Sequence, residues 1–471
     1  MLFDIAALLV TSGHLGLAAE APVVPERTSI VVTLTVADLE HPDRIAAADA
    51  PPLPTRITAA DPVAVGAGRS TVQRRLAAVS GTGLLAELGR HSADELAAYV
   101  RSDPANLRDL LAAPPAPRVV SGWWSGLDRS SRMAVMSGAP GVVGNLEGVP
   151  FSVRNTANRN YLDLQLESLH AQLESDAGRG ESARLQQGID ALRAVDAALG
   201  DSRSVPQRYL LSLDGEGRTA AIAVGNPQTA DYVSVLVPGM FFGVTGQIDD
   251  WTDIAARLYD EQTSWLRLFD RADGSVPGER DDVAAIAWMG YQTPSLLNVG
   301  SLDLAYEGRD EITELITGLQ TVRAADQPYI SVLAHSYGST AALMALTEER
   351  FQVDALALIG SPGSDAQSVD ELHVRGGNVF VGEAAWDPIP NSAYFGSDPG
   401  AADYGAKPMS VAGGVDVITN EVLAASVGHN EYFGPGTESL RNLALIGIDR
   451  EEFVTDGTDH DDSRTLAGVR R

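Results

Sequence analysis

The chain has 471 residues, enough for more than one domain and a large core. Its 63 acidic and 34 basic side chains give a formal net charge of −29. Such a surface repels nucleic acid and anionic membranes and argues against either as a partner. The absence of cysteine excludes disulfides, thiol nucleophiles and cysteine-ligated metals, and the remaining composition is that of an ordinary globular protein.

Met1 to Ala21 holds an apolar run, Ile5-Ala6-Ala7-Leu8-Leu9-Val10, but its only early charge is Asp4 and His14 interrupts it. A secretory leader needs a positive start, so a short buried helix is the expectation. No other stretch reaches the roughly 20 apolar residues of a membrane span. A cytoplasmic chain without integral membrane association follows as an expectation, with export left open. Residues 1–69 read as a poorly defined N-terminal segment or linker, with a strand-like run at Ser29–Val36 and punctuation at Pro51-Pro52-Leu53-Pro54.

Helical periodicity takes over in residues 70–205, read as a mainly helical N-terminal region. Ser92-Ala93-Asp94-Glu95 has the pattern of an N-cap followed by acidic residues. Pro114 to Pro117 breaks the pattern, Trp123-Trp124 reads as a helix start, and Pro140 to Pro150 reads as a loop. From Thr156 to Leu199, leucines recur at helical spacing on either side of Gly178-Arg179-Gly180, which predicts a helical hairpin.

The texture changes at Arg208. Tyr209–Leu213 and Ala220–Val224 flank Asp214-Gly215-Glu216-Gly217 and predict a β-hairpin. Strand-like runs follow at Tyr232–Val237, Val283–Trp288, Tyr329–Leu333, Ala355–Ile359 and Asn378–Gly382. Helical runs alternate with them at about Ile254–Phe269, Asp310–Arg323, Thr340–Glu349 and Glu438–Leu445. This alternation predicts an α/β fold with a mostly parallel sheet and helices on both faces, over residues 206–455. Residues 456–471 read as an acidic mobile tail, a solvated charge run rather than a cation site.

The most informative segment is Ala334-His335-Ser336-Tyr337-Gly338-Ser339. It joins an apolar β-branched run to a small-residue helix, the strand–turn–helix order of a nucleophile elbow. Such a turn lifts the Ser336 hydroxyl above the sheet edge and aims the Tyr337 N–H at a developing oxyanion. A serine hydroxyl needs a base beside it. In a doubly wound sheet the partners come from later strand ends, in the order Ser, Asp, His. Asp387 in Trp386-Asp387-Pro388 and His429 in Gly428-His429-Asn430 fill that order. Glu383 and Asp365 compete for the acid role. Among the histidines, His335 sits inside the elbow with its side chain expected to turn away from the hydroxyl. His373 precedes the acid strand, and His460 lies in the acidic tail.

The second oxyanion donor is expected from Val237-Pro238-Gly239-Met240-Phe241-Phe242, where a strand ends in a turn. Met240 or Phe241 would donate its N–H there. Gly239 and Phe242 would meet substrate, with the aromatic residues and Tyr337 adding an apolar wall. The Gly-x-Gly fragments do not follow a strand, so no nucleotide loop is indicated, and no metal or other cofactor is expected.

Several segments together resemble an actinobacterial α/β-hydrolase family of largely uncharacterised function. They are Val237-Pro238-Gly239, Ala287-Trp288-Met289-Gly290-Tyr291, His335-Ser336-Tyr337-Gly338-Ser339-Thr340, Ile359-Gly360-Ser361-Pro362-Gly363, Asp387-Pro388-Ile389 and His429-Asn430-Glu431-Tyr432-Phe433. Trp123-Trp124, Gly148-Val149-Pro150 and Arg154-Asn155-Thr156-Ala157-Asn158-Arg159 are similar to that family's helical portion. The resemblance spans about Trp123 to Leu445. It departs at Ala334, where members often have Gly, and at Asn430-Glu431, where Ser-Ser is common. It implies the hydrolase fold, carries Ser336, Asp387 and His429 over as a triad, and implies ester or amide hydrolysis without fixing a substrate. A binding or scaffold protein with a vestigial site is the rival expectation. The helical region is expected either to recognise a partner or to cap the site.

Overall fold

The computed structural model describes residues 70–102, 104–175, 178–201, 205–240, 243–273, 282–295 and 298–457. The expectations for the N-terminal segment, for Phe241 and Phe242, and for the tail beyond Gly457 lie outside the described residues.

Seven helices come first: α1 (Thr71–Ala77), α2 (Gly81–Leu88), α3 (Ala93–Val100), α4 (Ala105–Ala112), α5 (Pro117–Gly126), α6 (Arg129–Gly138) and α7 (Pro140–Asn145). Local chemistry sets several of their ends. Ser92 caps α3 and Glu95 reaches back to the Ser92 N–H (3.0 Å), a reciprocal pair that occupies two otherwise orphaned donors. Asp128 accepts from the Ser131 N–H (2.8 Å) at the start of α6. Pro117 and Pro140 each occupy the first turn of a helix, where the missing N–H costs nothing. The Trp123-Trp124 pair therefore ends α5 rather than starting a helix, and the expected loop from Pro140 begins with α7. In both places proline starts the helix that its usual breaking role argues against.

The predicted hairpin is α8 (Phe151–Glu174) and α9 (Arg179–Leu199). Strands β1 (Arg208–Leu213) and β2 (Ala220–Val224) form the predicted antiparallel hairpin. Then come β3 (Tyr232–Val237), α10 (Val244–Asp273), β4 (Val283–Met289), α11 (Asp303–Val322), β5 (Tyr329–His335), α12 (Tyr337–Leu346), β6 (Ala355–Ile359), β7 (Val379–Gly382) and β8 (Lys407–Pro408). A two-stranded ribbon, β9 (Gly414–Val415) and β10 (Val422–Leu423), precedes α13 (Glu438–Ile446).

The eight-stranded sheet has the order β1-β2-β4-β3-β5-β6-β7-β8. Strand β2 runs antiparallel to β1 and β4, and every other pairing is parallel. Strands with both faces covered read as near-continuous apolar runs, and β4 and β6 are buried throughout. On one face, Leu236 and Leu333 pack with α9, α10 and α13. On the other, Val233, Val235 and Val332 pack with α11 and α12. The apolar side of the α8–α9 hairpin joins the first of these clusters, whereas α1–α7 close over a cluster of their own.

Strand β1 lies at the sheet edge, and its free side is not left open. The Leu210 N–H donates to Asn155 Oδ1 (2.9 Å) and the Leu213 N–H to Asn145 Oδ1 (2.8 Å). Asn158 Nδ2 donates to the Leu210 carbonyl (3.3 Å), and Arg159 donates to the Arg208 carbonyl (2.9 Å). Side-chain amides from α7 and α8 thus take the place of a ninth strand.

Candidate active site

The elbow forms between β5 and α12. Ser336 is the residue between them, with φ 54° and ψ −132°. A non-glycine residue held at positive φ costs about 1–3 kcal/mol and persists only where its surroundings fix it. Those fixings are visible. The Ser336 N–H donates to the Ile359 carbonyl (3.0 Å), and the Ser336 carbonyl accepts from the Ser339 N–H (2.9 Å). The Ser339 hydroxyl also donates to that carbonyl (2.5 Å) and lies 2.7 Å from the Ser361 hydroxyl.

The bend brings Ser336 Oγ to 2.7 Å from His429 Nε2. On the other side of the ring, His429 Nδ1 lies 2.9 Å from each Asp387 carboxylate oxygen. The three side chains come from the ends of β5, β7 and the segment before α13, and all are buried. Strand register contributes to the meeting. An isolated parallel bridge pairs Ala385 with Val427, and the Gly428 N–H donates to the Ala385 carbonyl (2.8 Å). Asp387 and His429 each lie two residues beyond that bridge on their own segments.

Burial pushes the Asp387 carboxyl upward. The hydrogen bond and charge of His429, the Tyr432 hydroxyl and the Ile389 N–H outweigh it, and the group sits below its ordinary value. It is therefore charged at neutral pH, as needed to hold the Nδ1–H tautomer of His429 with Nε2 facing the serine.

Of the expected oxyanion donors, Tyr337 is the first residue of α12, so its N–H has no acceptor within the helix. Gly239 and Met240 follow β3, and Gly239 presses against the elbow. A Cβ added at Gly239 would lie 2.5 Å from Ser336 Cβ, and one at Gly338 would lie 2.3 Å from the Pro238 carbonyl oxygen. The two glycines let the turn and the elbow interlock. Tyr291, buried and stacked on Trp288, donates its hydroxyl to the Pro238 carbonyl (2.8 Å) and ties the turn down from below.

The Tyr337 side chain differs from expectation. Its hydroxyl donates to the Ser301 carbonyl (2.6 Å) and accepts from the Ala305 N–H (3.0 Å), so the ring is pinned in the core at the start of α11 instead of forming a substrate wall. The rival acids do not reach His429. Glu383 accepts from Asn391 (3.2 Å), and Asp365 is exposed. The backbone N–H of His373 donates to the Leu346 carbonyl, at the far end of α12 and about 15 Å of helix from Ser336.

Two residues near the site were not assigned from sequence. His335 turns away from the serine hydroxyl, as expected, but its Nε2 donates to the His429 carbonyl (2.7 Å) and its ring lies 4.7 Å from the His429 ring. Burial, then the neighbouring His429, pushes His335 down to about 3, so it is neutral. Tyr432 donates its hydroxyl to Asp387 Oδ2 (2.6 Å) and accepts from the Ala384 N–H (2.9 Å). Both residues stand inside quoted motifs, but their partners are dozens of residues away in sequence.

Residues 214–397 match the family described as alpha/beta hydrolase, a span that includes Ser336 and Asp387 and stops before His429. An uncharacterised protein of Mycobacterium tuberculosis is 29% identical over 469 residues, covering 87% of this chain and 69% of the relative. An uncharacterised protein of Mycobacterium bovis is 27% identical over 225 residues, covering 48% of this chain and 77% of the relative. Among solved structures, a hyperthermophilic esterase from the archaeon Pyrobaculum calidifontis is similar at 14% identity and a TM-score of 0.32, covering 62% of this chain and 98% of that one. The chain has the alpha/beta-hydrolase fold, and the matched span and the mycobacterial relatives make it similar to an actinobacterial alpha/beta hydrolase family.

Proposed function

We propose that the protein is a cofactor-free serine hydrolase that cleaves carboxylic esters through an acyl-enzyme on Ser336. The observation that carries the reading is the continuous chain from Ser336 Oγ through His429 to Asp387, with links of 2.7 and 2.9 Å. In this reading His429 Nε2 takes the proton as Ser336 Oγ attacks the carbonyl carbon. The charge developing on the carbonyl oxygen is met by the N–H groups of Tyr337 and of Met240 or Phe241. His429 then gives the proton to the departing alkoxide. A water, deprotonated by the same imidazole, then bonds to the acyl carbon, the bond to Ser336 Oγ breaks to release the acid, and His429 returns the proton to Ser336 Oγ. Asp387 keeps the imidazole oriented and stabilises its charged form throughout.

Esters come first because an alkoxide leaves more readily than an amine. Amides use the same groups with a heavier demand on protonation by His429. A scaffold with a vestigial site would tolerate a broken Ser–His–Asp chain, and the unbroken one favours the enzyme. A series of p-nitrophenyl esters and matched anilides tests the reading. Ester turnover should fall by roughly 10³-fold or more in Ser336→Ala. Wild-type turnover in that variant would refute the assignment.

A further inference from the structure

The segment from His429 to Phe433 does more than deliver the base. Three residues after His429, the Tyr432 ring is buried, lying 5.9 Å from the His335 ring. Its hydroxyl occupies both of its natural roles. It accepts from the Ala384 N–H, just past the end of β7, and donates to Asp387 Oδ2. The Ile389 N–H donates to the other oxygen, Asp387 Oδ1 (3.0 Å). One short turn thus carries both the imidazole that meets the carboxylate and the phenol that fixes it, while the phenol is referenced to the sheet.

We propose that Tyr432 is a positioning residue that sets the orientation and basicity of Asp387 and, through it, of His429. This rests on the serine-hydrolase reading above. The phenol has no direct hydrogen bond to Ser336 or to the His429 ring, so its influence runs through the carboxylate. A carboxylate that gives up one lone pair to a phenol pulls less strongly on the imidazolium. Removing the phenol leaves Asp387 more basic and freer to rotate. The first effect stabilises protonated His429 and the second loosens the geometry of catalysis. The other titratable groups facing Asp387 are His335, held neutral by burial, and Glu383, whose carboxyl is raised by burial. Both remain in the variants below.

The test reads kcat/KM against pH for wild type, Tyr432→Phe, Asp387→Asn and the double variant, with fluorophosphonate labelling of Ser336 as a parallel readout. In Tyr432→Phe the acid limb should move up by about half a unit to one unit, because activity needs neutral His429, and the plateau should drop about tenfold. In the Asp387→Asn background the same change should add nothing, since the charge it acts through is gone. Replacing Tyr432 with 3-fluorotyrosine keeps the ring and both hydrogen bonds but strengthens the donor, and should move the acid limb down. An unshifted limb in Tyr432→Phe, an equal loss in both backgrounds, or an upward shift with 3-fluorotyrosine would each overturn the proposal. Failure of wild type to label would overturn the hydrolase reading on which it rests, a different result from labelling that Tyr432→Phe leaves unaltered.

Discussion

Gly239 is where the residue scale is least forgiving. Its α-hydrogen faces Ser336, and a methyl group there would sit 2.5 Å from Ser336 Cβ and 3.1 Å from Ser336 Oγ. Either the nucleophile or the turn carrying the Met240 N–H must move. Gly239→Ala should therefore lower kcat by roughly 10- to 10³-fold with KM less affected, the signature of a lost transition-state contact. Unchanged kcat would mean that the turn does not serve the oxyanion. At this scale the meeting of Ser336, Asp387 and His429 was legible because the fold sets such groups at strand ends in a fixed order. His335 and Tyr432 were not, because what they do depends on partners that no spacing rule reaches: the carbonyl of His429 and the carboxylate of Asp387. The Tyr337 side chain was misread for a related reason. An aromatic residue next to a nucleophile suggests a substrate wall, but its hydroxyl found better-placed backbone partners at Ser301 and Ala305.

At the scale of elements, apolar runs and turn chemistry located the strands, since β3 to β7 are buried in a parallel sheet and bounded by polar or glycine-rich segments. Proline was ambiguous, breaking a helix in general but starting one at Pro117 and Pro140. The polar run Arg154-Asn155-Thr156-Ala157-Asn158-Arg159 carried a family resemblance without a physical reason. Its reason is the open edge of β1. Asn155 and Asn158 are buried and point their amides at backbone groups of Leu210, which no helical periodicity could reveal. Asn155→Ala would leave the buried Leu210 N–H without its acceptor. We expect a loss of about 1–3 kcal/mol in chemical denaturation. A stability equal to wild type would mean that water reaches this edge and the amide cap is dispensable.

For the whole molecule, the α8–α9 hairpin packs its apolar side into the same cluster as one face of the sheet, so these helices are part of what stabilises the site. The long acidic excess keeps the surface strongly negative at neutral pH. Acid is the condition to which the fold is exposed. His335 is pushed down to about 3 in the folded chain, against about 6.5 when unfolded. Its contribution is intact above the unfolded value and is lost as pH falls from about 6.5 toward 3, because the unfolded state takes up the proton first. Asp387, lowered in the fold, acts in the same sense, losing its contribution as pH falls from the unfolded carboxylate value toward its lower folded one. His335→Gln places an amide donor where Nε2 meets the His429 carbonyl and removes the titration. The fall in unfolding free energy between pH 7 and pH 4.5 should become shallower in that variant, by up to about 1.4 kcal/mol for each unit of pH in that window. A slope identical to wild type would show that His335 does not control it.

In the proposed mechanism the continuous Ser336–His429–Asp387 chain activates one serine. Intact-mass analysis after exposure to a fluorophosphonate tests it most directly. A single adduct is expected on folded wild type and none on Ser336→Ala. No adduct on folded wild type, or an equal adduct on both, would contradict it.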